Sequence, residues 1–229
     1  MEQLHNGFTL EISPGAFPLS TDSIALAEFA HLHTRSAVLD LGSGCGTLGL
    51  LLCANYPDCT VTGVELTETA HSTTLKNAKN NKLEDRLFSI CEDIANIPKL
   101  FPPGSMTCCI SNPPYFTGGP ESKQLPLARR EDRCSIDTLM SAAQWALKYG
   151  GDFFLIHRPE RLAELFISAG AHQLEPKRLR LLRHRCDGPV SLVMIQFRKG
   201  GKPGLNWEEV CLFDSKNNPT PYYKQLYHL

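Results

Sequence analysis

The chain has 229 residues, 42% of them hydrophobic and 21% charged, with 23 basic against 24 acidic side chains. That length suffices for one large domain with a sizeable core, and the composition excludes a disordered or low-complexity role. There is no apolar run of about 18 residues to cross a bilayer, no leader-like stretch in residues 1–20, and at a net charge of −1 no overall excess of basic residues for a nucleic-acid partner.

The elements alternate. Ala37–Leu41 reads as a buried strand and Gly46–Tyr56 as the helix after it; Thr60–Leu66 is a second strand, followed by a polar helix over Glu68–Asn81. Leu87–Cys91 and Met106–Ser111 are the third and fourth strands. Ile136–Lys148 carries apolar residues at 136, 139, 140, 143, 146 and 147, which is helical spacing. Gly150-Gly151 predicts a break before a fifth strand, Phe153–His157, and Pro159 marks the start of another helix. Strand and helix alternating at this spacing predict an α/β fold, a doubly wound and mostly parallel sheet covered on both faces. At its end Leu179–His184 and Ser191–Phe197, joined through Gly188-Pro189, predict an antiparallel strand pair. From Gly200 onward the expectation is surface coil, with a short strand near Val210–Phe213. The whole of 1–229 reads as a single domain, with 1–36 as an N-terminal segment and 200–229 as a C-terminal extension.

Nine cysteines are present, an odd number, with no C-x-x-C pair and several inside apolar runs. Buried free thiols are expected, rather than a zinc site or a disulfide framework.

The first strand ends in Asp40-Leu41-Gly42-Ser43-Gly44-Cys45-Gly46 and runs straight into a helix. Glycines at such a turn let a ligand approach the backbone. A dinucleotide fingerprint needs glycine at position 47, where Thr47 stands, and a phosphate loop needs a lysine, which is absent. An acid two residues before G-x-G-x-G instead resembles the first motif of Rossmann-like S-adenosylmethionine-dependent methyltransferases. Glu65, 25 residues after Asp40, closes the second strand, where a carboxylate can accept both ribose hydroxyls, and Asp93 follows the third, where one can accept the adenine amine. Leu66 and Ile94 beside them complete the expected cofactor set. Three acids at successive strand ends point to S-adenosylmethionine more strongly than any one of them does.

The fourth strand ends in Ser111-Asn112-Pro113-Pro114-Tyr115. Successive prolines stiffen the arch, so that the Asn112 side-chain oxygen and the Pro113 carbonyl can converge on one exocyclic NH₂. Holding both hydrogens aims the lone pair at the methyl donor, and Tyr115 offers a flat face for a base. The motif resembles that of amino methyltransferases acting on adenine N6, cytosine N4 or a glutamine amide. No metal is required, because the amine can lose its proton to solvent after attack.

Thr21-Asp22, both motifs, Ala128-Arg129-Arg130-Glu131, His157-Arg158-Pro159, Glu175-Pro176-Lys177-Arg178-Leu179-Arg180 and Arg198-Lys199-Gly200-Gly201 together resemble the bacterial tRNA-Val adenine-N6 methyltransferase family from about Phe17 to Phe213. The resemblance implies a single-domain enzyme that methylates the adenine 3′ of the anticodon. It implies a cofactor site of Thr21, Asp22, Asp40, Gly42, Gly44, Gly46, Glu65, Leu66, Asp93, Ile94 and Asn112. It gives the target base to Asn112, Pro113, Pro114 and Tyr115. RNA contacts are expected at Tyr115, Arg129 and Arg130, with Pro120–Pro126 as a lid; Lys177, Arg178 and Arg180 read either as phosphate contacts or as a solvated outer strand whose charge blocks edge pairing. Differences from the family fall at Ser23, at Arg183–Asp187 and in the Pro219–Leu229 tail. The rival readings are a methyltransferase for a protein glutamine amide or a ribosomal RNA base, and a non-catalytic module that binds cofactor and RNA; monomer and homodimer both stay open. Charge is also segregated: residues 1–122 hold 6 basic and 13 acidic side chains, net −7, whereas 123–199 hold 14 and 8, net +6.

Overall fold

The structure, a computed structural model, describes residues 2–4, 7–115 and 135–229. An N-terminal hairpin, β1 (Glu2–Gln3) and β2 (Thr9–Leu10), precedes helix α1 (Thr21–Phe29). Then follow β3 (Ala37–Leu41), α2 (Thr47–Asn55), β4 (Thr60–Glu65), α3 (Glu68–Asn80), β5 (Leu87–Cys91), the short α4 (Ile97–Leu100) and β6 (Met106–Ser111). The second half holds α5 (Ile136–Ala146), β7 (Leu147–His157), α6 (Leu162–Ala171), β8 (Leu174–Arg185), β9 (Val190–Lys199), β10 (Asn206–Phe213) and α7 (Pro221–Tyr227).

Eight strands form one sheet in the order β10-β8-β9-β7-β6-β3-β4-β5. Only β9 opposes the rest, pairing antiparallel with both β7 and β8. The order runs outward from β3 in two directions, to β4 on one side and β6 on the other. In a doubly wound sheet that reversal opens a crevice beyond the strand C-termini, here between Gly42 and Asn112.

Why the strands read as continuous apolar runs is visible in β7. Phe153 and Leu155 pack on one face with Leu39, Met140 and Phe197; Phe154 and Ile156 pack on the other with Leu26, Phe29 and Leu50. A strand buried on both faces has no polar side to display. No helix among the described residues is long and apolar enough to cross a membrane.

Three expectations need correction. The Gly150-Gly151 pair does not break the chain: β7 begins at Leu147, and the register against β6 shifts between Met106 and Cys108. Gly150 takes φ +78°, and a Cβ on Gly151 would lie 2.9 Å from the Thr107 carbonyl oxygen, so the pair makes a bulge within a longer strand. The segment after Gly200 is not mainly coil. β10 pairs with β8 along eight residues, and α7 folds back to α1, where the Tyr227 hydroxyl lies 2.7 Å from Thr21 Oγ1. Its start was legible, since Thr220 caps Tyr223 N and Pro221 opens the helix. Third, Cys186 and Cys211 form a disulfide tying the end of β8 to β10. Cys45, Cys53, Cys59, Cys108 and Cys109 are buried free thiols and Cys91 is a partly buried one.

Candidate active site

Above the crevice lies a cavity of about 590 Å³, within the size range of cofactor sites. Its base is the turn after β3. Gly42, Gly44 and Gly46 all take positive φ, at +76°, +55° and +79°, a region side chains rarely occupy. The turn is anchored from both sides. Gly42 N donates to the Val64 carbonyl at 2.9 Å. From α3, the Thr74 hydroxyl donates to the Gly44 carbonyl at 3.0 Å and Asn77 Nδ2 to the Cys45 carbonyl at 2.9 Å. A Cβ on Gly46 would meet Thr74 Cγ2 at 2.7 Å, so that glycine serves the packing of α3 rather than the ligand. Gly42 and Gly44 differ: a Cβ on either would meet nothing within 4 Å, and both line the cavity.

The polar face of α3 does further work. Asn77 and Asn81 bond the backbone of Glu11 and Thr9. They thereby lay residues 13–18 along the cavity wall, lining that sequence reasoning missed. The turn residues Ser13-Pro14-Gly15 were the available signal.

The expected acids occupy three different settings. Glu65 Oε2 accepts from Gly44 N at 3.0 Å, and Oε1 accepts from Thr67 N and its hydroxyl at 2.8 and 2.6 Å. Glu65 also lines the cavity. Asp93 Oδ1 accepts from Ala95 N at 2.9 Å and so caps a short turn, while Asp93, Leu66 and Ile94 all line the cavity.

Asp40 supports the site from below. It lies beneath the glycine turn at 1% exposure rather than on the cavity wall. Neither of its carboxylate oxygens, nor Ser43 Oγ above it, has a hydrogen-bond partner. Burial, reinforced by the negative Glu65, pushes Asp40 up to about 8. Folded protein therefore retains a proton between about pH 4 and pH 8 that the unfolded chain has lost, and stability falls as pH rises through that window. Between pH 5 and pH 8 the wild type is expected to lose more unfolding free energy than Asp40→Asn, by up to about 4 kcal/mol. Urea titrations of the ligand-free proteins at the two pH values check this; equal losses would contradict it.

Thr21 stands at the border of the site, lining a smaller cavity that shares Asp22 with the large one. As the first residue of α1 it faces α7 through its bond to Tyr227 and lies outside the large cavity. The next two positions turn inward. Asp22 lines the cavity, raised above the usual carboxylate range by burial and partly held back by Arg158. Ser23 Oγ accepts from Asn112 Nδ2 at 3.0 Å. This contact was not foreseen; it fixes which way the amide points and leaves Oδ1 facing Tyr115.

Asn112 to Tyr115 all line the cavity at the end of β6. Asn112 Oδ1 accepts from the Tyr115 hydroxyl at 2.5 Å. The Tyr115 ring is not an open platform: the Arg158 guanidinium lies 5.5 Å from its centroid and His157 meets it edge-on at 5.4 Å. His157 is pushed down to about 4, first by burial and then by Arg161, so it is a neutral support at pH 7. Its Nδ1 accepts from Arg158 N at 2.8 Å.

The basic strand divides. Arg180 is 7% exposed, ion-paired with Glu28 and, at 2.7 Å, with Glu208, and its guanidinium faces the rings of Phe29 and Tyr222. It joins α1, β10 and α7 and is sealed from any RNA, contrary to the phosphate-contact reading. Arg178 stacks 4.4 Å over Phe29 and donates to the Phe29 carbonyl, again an internal role. Lys177 is half-buried and donates to the Lys202 carbonyl. Arg129, Arg130 and the Pro120–Pro126 segment lie outside the described residues. Among the described residues no group of three or more histidine, cysteine or acidic side chains could hold a metal ion.

A doubly wound sheet with one reversed strand, a glycine turn and carboxylate on one side of its switch point, and an oriented amide on the other, defines a Rossmann-like transferase. The model of the methyltransferase small domain family matches residues 19–167, and the chain belongs to that family. It is 27% identical over 202 residues to a tRNA1(Val) (adenine(37)-N6)-methyltransferase of Photobacterium profundum, covering 86% of this chain and 84% of that protein. It is 31% identical over 160 residues to the protein of the same name from Shewanella halifaxensis, covering 69% and 65%. In fold it is similar to a predicted O-methyltransferase from Agrobacterium tumefaciens, with TM-score 0.76, 19% identity, and 91% and 96% of the two chains covered. It is also similar to geranyl diphosphate C-methyltransferase from Streptomyces coelicolor, with TM-score 0.58, 17% identity, and 76% and 78% covered. Oxygen and carbon acceptors on one fold mean that the fold does not choose the substrate.

Proposed function

We propose that the chain transfers a methyl group from S-adenosylmethionine to N6 of an adenine in tRNA, the one 3′ of the anticodon. The observation that carries it is Asn112, whose amide hydrogen is held by Ser23 so that its oxygen faces the cavity that Glu65 and the glycine turn also line. The names of the similar proteins supply the acceptor.

The residues present fit the cofactor. Gly42 and Gly44 leave open space where side chains would intrude, and the unpartnered Asp40 and Ser43 lie just beneath. Glu65 would take the ribose hydroxyls, Asp93 and Ile94 the adenine, and Asp22 the amino-acid part. Bound there, S-adenosylmethionine supplies an electrophilic methyl on a sulfonium.

The rest is done by this chain. Asn112 Oδ1 and the Pro113 carbonyl accept the two N6 hydrogens and so direct the lone pair at the methyl. The incoming amine competes with the Tyr115 hydroxyl for Asn112, and Asp22, which also faces that hydroxyl, receives it instead. Arg158 must leave the ring for a base to stack there. The bound cofactor would supply the methyl and its sulfur would keep the bonding electrons, so this chain need only leave the amine proton a path to water. An unpaired anticodon-loop base costs less to extrude than one in a duplex. The reading places the protein with its substrate in the cytoplasm.

Incubation with methyl-labelled S-adenosylmethionine and either total tRNA or release-factor protein, followed by nucleoside mass spectrometry, tests this. Label is expected in N6-methyladenosine from tRNA. Label in protein alone overturns the reading in favour of a glutamine amide.

A further inference from the structure

Beside the large cavity, and sharing Asp22 and Arg158 with it, lies a second cavity of about 250 Å³. The strands explain its place. Leu181 is level with Val193, and Val193 with His157, the last residue of β7. β8 therefore continues four residues beyond β7, about 13 Å at 3.3 Å per residue. This overhang, tied to β10 by the Cys186–Cys211 disulfide, forms a wall rising past the reaction edge.

The lining has two characters. Leu182, Leu192 and Leu212 make a buried apolar floor. His184 also lines it; it is exposed, and its ring is set against Phe213 at 5.1 Å between centroids. The border toward the large cavity carries Arg158, which is exposed and donates to the Ser191 carbonyl at 3.3 Å. An apolar floor beside an imidazole face suits a planar base. A planar cation between the two cavities suits the phosphodiester joining one nucleotide to the next.

Resting on the tRNA reading above, we propose that this cavity holds the nucleotide next to the target adenosine, its base against His184 and the leucine floor and its linking phosphate on Arg158.

The test uses the full chain, S-adenosylmethionine and anticodon stem-loop RNAs. In two of these RNAs the nucleotide 5′ or 3′ of the target adenosine lacks its base. His184→Ala is expected to raise KM for the intact RNA about tenfold, from the loss of one stacked base. Its kcat at saturating RNA and its calorimetric affinity for S-adenosylmethionine should stay within about twofold. One of the two abasic RNAs should cost the wild type a similar factor and cost His184→Ala no more, because the same contact is already gone. Unchanged KM in His184→Ala, or equal losses from both abasic RNAs in both proteins, overturns the subsite while leaving the function intact. Failure of the wild type to methylate any tRNA overturns both.

Discussion

Asn112→Ala is expected to lower kcat for methyl transfer by about 10²–10³-fold, the usual cost of deleting one fixed electrostatic contact to the reacting group. Affinity for S-adenosylmethionine should change little, since Glu65, Asp93 and the glycine turn are untouched. The Asp variant sharpens the result. In Asn112→Asp one carboxylate oxygen keeps the acceptor position, and the other faces Ser23, whose hydroxyl can donate as well as accept. That variant should therefore retain far more activity than alanine. Single-turnover rates with pre-bound cofactor, alongside calorimetric binding, separate chemistry from binding. Alanine and aspartate variants of equal activity would show that no acceptor at this position contributes to the step.

The second large effect is on stability. Arg180→Ala should cost up to about 3 kcal/mol of unfolding free energy, because the partly buried Glu28 loses its cation, whereas Glu208, about half exposed, is screened by solvent. Glu28→Gln in the same background should recover part of the loss, since the carboxylate closer to the interior is then neutral. Urea denaturation gives both numbers. A wild-type midpoint in Arg180→Ala, together with weakened tRNA binding, would return Arg180 to the phosphate-contact reading.

Arg180 also shows how a sequence-level charge argument loses force. The excess of basic residues over 123–199 reads as a nucleic-acid surface. In the folded chain Arg180, Arg183, Arg185 and Arg198 are each ion-paired, with Glu28 and Glu208, Glu209, Asp187 and Asp152 respectively. Arg180 and Arg183 meet acids from outside that window, so net charge over 123–199 overstates what solvent sees. Arg158, unremarkable in the sequence beyond the family string, is, among the described residues, the cation that borders both cavities. Near-neutral total charge and a basic half both proved less informative than the position of that one side chain.

The tail makes the same point from the other side. Residues after Gly200 are rich in proline, glycine and asparagine, and local signals favour coil. Yet β10 finds an unpaired edge on β8, and α7 covers the start of α1. Pairing of that kind depends on an edge built from residues far away in sequence, which no window of the tail records.

What the sequence determined by itself was the local geometry and chemistry of the site. Strand and helix periods set the doubly wound order. Glycines at 42 and 44 and acids at 65 and 93 sit at strand ends, where backbone direction places them at one edge. Asn112-Pro113-Pro114-Tyr115 specifies a stiff arch through its own covalent limits. The tertiary structure decided the partnerships. It buried Asp40 without a donor, turned Thr21 toward α7, gave Asn112 its orientation through Ser23, closed Arg180 between two glutamates, and raised His184 beside Arg158. Hydrogen bonds, ion pairs and desolvation act through space over a few ångströms, and residues 23 and 112, or 28 and 180, become neighbours only once the sheet has formed.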